Sequence, residues 1–148
     1  MMRAILLFLV SGAACAQATV PWETLAQVRL VAERNVYLPR FAEAVLKLDA
    51  QEVKLQGFMM PLGMGEKQTH FLLAAKPSDC AFCMSGGPES VVEVKAKTGL
   101  KYSIDAIVVK GRLELVKDDP TGGVFYRLHD AVAAASPATS PDFRRGKK

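Results

Sequence analysis

The chain has 148 residues, half of them hydrophobic and 23% charged, a composition that fits a single globular domain with one core. Its formal net charge of +4 arises at the two ends, because residues 17–136 contain nine Lys and five Arg against six Asp and eight Glu. A central region without net charge argues against nucleic acid as a partner.

Residues 1–18 predict a secretory signal peptide. Arg3 precedes an apolar run that ends at Val10, and small residues lead to a cleavage site near Ala18. This run is too short to span a bilayer, and no later stretch has the roughly 20 apolar residues that a spanning helix needs. We therefore expect an exported, periplasmic protein that does not span the membrane. A rival interpretation makes Cys15 the lipidated residue of a lipoprotein signal.

Residues 19–51 predict a short helical extension. The apolar residues of "PWETLAQVRLVAERN" recur at spacings of three from Trp22, and the proline in front of them suits a first helical turn. A second short helix is expected from Pro39 to about Asp49, since apolar residues recur there at spacings of three and four. Both apolar faces are expected to pack on a core.

Residues 52–132 predict a barrel of five strands. In "EVKLQGFMMPL" apolar and polar residues alternate with the period of a half-buried strand. Four further strands are expected in "THFLLAAK", "SVVEVKA", "YSIDAIVVKGRLELVK" and "GGVFYRLHDA". Gly57 and Gly111 lie inside strands, where glycine allows a bend or bulge, so we expect a mainly β fold, a small OB-like barrel. Residues 133–148 are expected to form a disordered basic tail.

Five segments carry a family resemblance, in the order "LDAQEVKLQGFMMPL", "THFLLAAKPSDCAFC", "VVEVKA", "IVVKGRLEL" and "GVFYRLHDA". Together they resemble the exported proteobacterial domain-of-unknown-function family 3299 over roughly residues 22–131. The most specific parts are Gly-Phe-Met-x-Pro-Leu at 57–62 and the strand-to-cysteine segment at 70–83. The resemblance implies a periplasmic accessory role without settled enzymatic activity, beside components of ABC-type permeases, some of which respond to zinc.

A C-x-x-C pair is the main chemical feature of the chain. Cys80 and Cys83 are its only thiols once Cys15 leaves with the signal peptide. Two thiolates can bind one tetrahedral metal ion, which takes four ligands in a closed site. The two histidines of the chain, His70 and His129, would complete a Cys2His2 site, so zinc is the favoured ion.

Other ligands, another ion and other uses of the cysteines stay open. Oxygen ligands could come from the acidic residues Asp79, Glu89 and Asp130, and the loop methionines Met64 and Met84 make Cu(I) the second choice. In an oxidising compartment, Cys80 and Cys83 could instead close a structural disulfide. A thiol oxidoreductase is disfavoured, because "MSGGPES" after Cys83 breaks the helix at whose start a reactive cysteine normally stands.

Motifs of hydrolases and of phosphate-binding enzymes are missing from the sequence, so we expect a protein that is not an enzyme. A second class of function is a docking module that binds a permease, another envelope protein or a small ligand. Its interaction surface would use Phe58 and Phe82, with Phe71 and Tyr126 as further candidates.

Overall fold

A computed structural model describes residues 18–34, 36–77, 86–118 and 123–135 of the chain. Several sequence-predicted features lie outside the described residues: the signal peptide up to residue 17 with Cys15, the segment 78–85 with Cys80, Phe82 and Cys83, and the basic tail beyond residue 135.

The described residues form seven strands and two short helices. The helices are α1 (Trp22–Leu25) and α2 (Glu43–Leu46), and a single 3-10 turn covers Pro88–Ser90. The strands are β1 (Val28–Glu33), β2 (Val36–Phe41), β3 (Glu52–Pro61), β4 (Lys67–Ala74), β5 (Val91–Lys101), β6 (Ile107–Leu115) and β7 (Tyr126–Ala133). No helix of this described part is long and apolar enough to cross a membrane.

Strands β3 to β7 close into a barrel, in the spatial order β3-β4-β5-β7-β6. Four neighbouring pairs are antiparallel, and β5 and β7 are parallel. A closed barrel of five strands with this crossover is OB-like. The prediction of a mainly β, OB-like barrel is confirmed.

The barrel interior follows the alternation that the sequence predicts. On β3, residues Val53, Leu55 and Met59 point inward and are buried. Phe71 on β4 and Tyr126 on β7 are fully buried in the same core, and the Tyr126 hydroxyl donates a hydrogen bond to the carbonyl oxygen of Leu25 in α1. The prediction that Phe71 and Tyr126 lie on the surface is wrong. Successive side chains of a strand point to opposite faces, and both residues occupy positions that face the barrel interior.

Gly57 lies where β3 changes neighbours. The pairing with β6 ends at Gly57, and the pairing with β4 begins at the next residue. A Cβ atom at Gly57 would lie 2.5 Å from the carbonyl oxygen of Ala74 and 3.2 Å from the ring of Trp22. Gly111 is a second interior glycine, and a Cβ atom added to it would lie 2.6 Å from the carbonyl oxygen of His129. The close approach of neighbouring strands therefore requires glycine at both positions.

The N-terminal extension differs from its prediction. The first predicted helix ends after Leu25, and residues 28–33 form a strand that pairs with β2 along six residues. The predicted second helix begins at Glu43, because Pro39 belongs to β2. The spacing of three from Trp22 reflects one short turn whose Leu25 is buried. Beyond that turn, the β-branched residues Val28, Val31 and Val36 favour strands, and the two strands pair as an antiparallel ribbon.

Candidate functional site

Five polar residues form one connected network on the outside of the barrel. We call it the outer polar network, and its members are His70 on β4, Glu93 on β5, Arg127 on β7, and Glu114 on β6 with His129 on β7. In the strand register, Arg127 lies directly opposite Glu93 on one side and Glu114 on the other. Residues next to these in the strands point into the core, so the network faces outward.

Arg127 is the centre of the network. Its Nε donates to Oε2 of Glu93 at 2.6 Å, and its nearer terminal nitrogen lies 3.5 Å from Oε2 of Glu114. Each glutamate also contacts one histidine, through the Nε2 atom of His70 at 2.8 Å and of His129 at 2.5 Å. A guanidinium between two carboxylates thus holds both histidines in place.

The network is less exposed at its centre than at its edge. The side chains of Glu93 and Arg127 are 15% and 24% exposed, whereas that of His70 is 52% exposed. Partial burial by itself would raise the pKa of Glu93, but hydrogen bonds from Arg127 and His70 outweigh it and lower that pKa. The pKa of Glu114 is lowered mainly by its hydrogen bond with His129. The hydrogen bond with Glu93 raises the pKa of Arg127.

These lowered pKa values predict an acid-sensitive contribution to stability. A glutamate whose pKa is depressed in the folded state stabilises the fold above the pKa of the unfolded chain, and this stability is lost as the pH falls through the folded-state pKa. We expect the melting temperature to fall more steeply below about pH 5 in the wild type than in a Glu93→Gln, Glu114→Gln variant. Thermal unfolding followed by circular dichroism from neutral to acidic pH measures both slopes.

A change at Glu66, whose side chain lies outside the network, is the matched control for that experiment. Glu66→Gln should leave the wild-type slope unchanged. Parallel curves for the wild type and the double variant would show that the two lowered pKa values do not contribute to stability.

Both predicted histidine ligands lie on the same face of the barrel. His70 is opposite Lys95 on β5, and Lys95 lies in the register shift beside His129 on β7. Two strand spacings therefore separate the histidines, about 10 Å between their Cα atoms. The structure brings them into one network, but each contacts a different carboxylate.

The described residues alone do not assemble a metal site. Within them no group of three or more His, Cys, Asp or Glu side chains could hold an ion. Both histidines are suited to be metal ligands. A metal-binding imidazole usually has its second nitrogen hydrogen-bonded to a carboxylate or another acceptor, and Nε2 of each histidine contacts a glutamate. In that arrangement Nδ1 would be the ligating atom. A metal site on this face therefore needs further ligands, and Cys80 and Cys83 lie outside the described residues.

Sequence reasoning did not single out Glu93, Arg127 and Glu114. A usable signal was present in "VVEVK", "RLEL" and "YRLHD", where single charged residues alternate with inward-facing apolar ones. Such residues share the outer face of neighbouring strands, so opposite charges can pair across it. The oxygen candidates Glu89 and Asp130 are not part of the network, and Asp130 is an exposed residue with a positive φ of 52°.

A groove around Trp22 adjoins the ends of the cysteine segment. Two cavities of about 410 and 290 Å³ share Trp22, whose Nε1 donates to the carbonyl oxygen of Gln56 at 2.7 Å. Phe58, a predicted interaction residue, is half-buried and lines the larger cavity. Lys76 and Gly86, which flank the segment that contains the cysteines, line the smaller one. The groove is therefore a second candidate site beside the outer polar network.

Comparison with known proteins gives a family and a fold. The family model described as "Protein of unknown function (DUF3299)" matches residues 22–133, and no functionally curated protein matches the chain. The fold is similar to that of a DUF3299 family protein (PA4066) from Pseudomonas aeruginosa PAO1, solved by crystallography at 2.45 Å resolution. That match has a TM-score of 0.51 and 21% sequence identity, and it covers 68% of this chain and 70% of the other.

Proposed function

We propose that this chain, which belongs to the DUF3299 family of proteins of unknown function, is a non-enzymatic accessory protein that binds a transition metal ion through Cys80 and Cys83. Zinc is the favoured ion and Cu(I) the second choice. We further propose that the protein acts in the periplasm and serves an ABC-type transport system. The compartment is inferred from residues 1–18 and the transport role from the family resemblance.

The observation that supports metal binding is the hydrogen bonding of the two histidines. Each has Nε2 held by a glutamate, at 2.8 Å for His70 and 2.5 Å for His129, which fixes the ring orientation and leaves Nδ1 as the ligating atom. Imidazole nitrogen and thiolate sulfur are the donors that zinc takes in closed tetrahedral sites. A C-x-x-C pair together with these histidines therefore has the right donor chemistry.

Zinc titration of the reduced, signal-free chain tests this proposal. In competition with a chromophoric chelator, we expect one equivalent of zinc to bind the wild type and none to bind a Cys80→Ser, Cys83→Ser variant. The substitutions His70→Gln and His129→Gln are each expected to weaken binding by roughly tenfold if that histidine is a ligand.

Two controls make the titration specific. Met64 is fully exposed and belongs to the Cu(I) alternative, so Met64→Leu should leave zinc binding unchanged. Circular dichroism should show the same fold for every variant. A reduced wild type that takes up no metal, or a cysteine variant that binds as tightly as the wild type, would contradict the proposal.

A second candidate is a docking module in which Cys80 and Cys83 form only a structural disulfide. The observation in its favour is that the outer polar network accounts for both histidines without a metal. The groove around Trp22 and Phe58 would then be the binding surface. This function predicts that Phe58→Ser abolishes binding of an envelope partner, whereas the cysteine double variant still binds it.

A further inference from the structure

The β1–β2 ribbon leaves the barrel with an apolar face that it does not bury. Val28 and Phe41 at its base pack against the core. Further out, the same face continues through Leu30, which is 54% exposed, and Tyr37, which is 71% exposed. A two-stranded ribbon is marginally stable by itself, and exposed apolar residues on one face of it indicate a contact surface.

The two edges of the ribbon differ. The backbone N–H of Ala42 donates to the carbonyl oxygen of Gln27 at 2.9 Å, and the antiparallel register of β1 and β2 continues this pair. Every second pair beyond it, ending with Glu33–Val36, is therefore a hydrogen-bonded pair. The alternate pairs, including Leu30–Pro39, direct their backbone groups away from each other. Pro39 has no N–H, which protects the outer edge of β2 against a further strand.

The outer edge of β1 has no such protection. The backbone N–H and C=O groups of Leu30 and Ala32 point outward there, and among the described strands β1 pairs with β2 alone. The edge residues "VRLVAE" contain neither proline nor lysine, which are the usual devices against strand addition. This edge is ready to accept another strand.

We propose that the occupant is β1 of a second copy of this chain, added antiparallel about a twofold axis at Val31. In this register Leu30 lies opposite Ala32 of the second copy, and the outward backbone groups of the two residues form hydrogen-bonded pairs. Arg29 then lies opposite Glu33 of the second copy, and the symmetry repeats the contact. A shift by two residues loses both charge pairs, so charge selects this register.

The charges of the single chain support this occupant. Among the residues described, Arg29 forms no ion pair, and its cross-strand neighbour Arg40 has the same charge. Glu33 contacts Arg40, but both side chains are largely exposed, at 42% and 60%, so this pair adds little stability. A second copy brings a carboxylate to each Arg29. It also joins the two apolar ribbon faces into one, with Leu30 beside Ala32 of the second copy.

Two charge variants test this dimer. Sedimentation equilibrium of the signal-free chain should show a monomer–dimer equilibrium in the micromolar range, since the contact is smaller than a standard interface of about 800 Å² per partner. Arg29→Glu alone, and Glu33→Arg alone, each place like charges opposite each other and should weaken self-association by roughly tenfold or more. Mixed in equal amounts, the two variants should form a heterodimer with wild-type affinity, because both charge pairs are restored.

A backbone variant checks the same edge independently of charge. Ala32→Pro removes an outward N–H without touching the hydrogen bonds between β1 and β2, as Pro39 does in β2, and should give a monomer. A monomeric wild type at about 100 µM would overturn the proposal, given the expected micromolar affinity. So would a dimer that survives both Arg29→Glu and Ala32→Pro. A wild type that is monomeric but co-sediments with anionic phospholipid vesicles would also overturn it and assign the ribbon to a lipid surface.

Discussion

Gly57→Ala is expected to lower the free energy of unfolding by about 3 kcal/mol or more, because the new methyl group would overlap with backbone atoms that cannot move without disrupting the barrel. Its Cβ would lie 2.5 Å from the carbonyl oxygen of Ala74, which is backbone inside the barrel, and 3.0 Å from Cγ of Leu73. Relief requires β3 and β4 to separate where their pairing begins. The ring of Trp22, 3.2 Å away, blocks movement toward α1.

Urea unfolding followed by tryptophan fluorescence measures this loss, since Trp22 is the single tryptophan of the chain and contacts the site. Gly63→Ala is the matched control. A Cβ atom at Gly63 would have one neighbour within 4 Å among the described residues, the side-chain oxygen of Gln68 at 3.6 Å. The free energy of unfolding of the Gly63→Ala variant should therefore differ from that of the wild type by less than about 1 kcal/mol. Equal losses of stability in the two variants would contradict the close approach of β3 and β4 at Gly57.

Arg127→Leu is expected to cost about 2 kcal/mol at neutral pH, because it leaves the Glu93 carboxylate, 15% exposed, without its guanidinium. In the wild type, hydrogen bonds lower the pKa of Glu93 against the effect of burial. Without Arg127 its hydrogen bond and its positive charge no longer lower this pKa, so the pKa of Glu93 is higher in the variant than in the wild type. The stability difference between wild type and variant should therefore be largest near pH 7. It should narrow as the pH falls through the lowered pKa of Glu93 in the folded wild type, below which the carboxylate is protonated in both proteins.

Thermal unfolding at several pH values tests the sign of this effect. Adding Glu93→Leu to Arg127→Leu removes the uncompensated carboxylate and should recover part of the lost stability. Arg112→Leu, which changes an exposed arginine of β6, should cost less than about 0.5 kcal/mol. A gap that is independent of pH, or a double variant that is less stable than Arg127→Leu, would mean that Arg127 acts through packing instead of charge.

The barrel could be predicted because each strand has one buried, apolar face and one solvent-exposed, polar face. Val53, Leu55 and Met59 alternate with polar residues on β3, and such a period of two is readable without any knowledge of neighbours. The interior glycines Gly57 and Gly111 mark two places where neighbouring strands approach closely, and the register of β6 and β7 shifts at Gly111. These local signals were sufficient to predict a small, mainly β, OB-like barrel of five strands.

The extension and the outer polar network could not be predicted in the same way. Residues 28–33 have apolar side chains at spacings that suit a helix, and only their pairing with residues 36–41 makes them a strand. Glu93, Arg127 and Glu114 lie on three strands separated by long stretches of sequence, so their meeting depends on the parallel β5–β7 pair. The register that joins them is a property of the closed barrel.

X-ray absorption at the zinc edge of the reduced, zinc-loaded chain tests metal binding by Cys80 and Cys83 most directly. We predict a four-coordinate ion with two sulfur ligands at about 2.3 Å and imidazole nitrogen at about 2.0–2.1 Å. The imidazole signal should weaken in His70→Gln or His129→Gln. A first shell without sulfur, or a fully reduced protein that holds no zinc, would contradict the metal site and leave Cys80 and Cys83 as a structural disulfide.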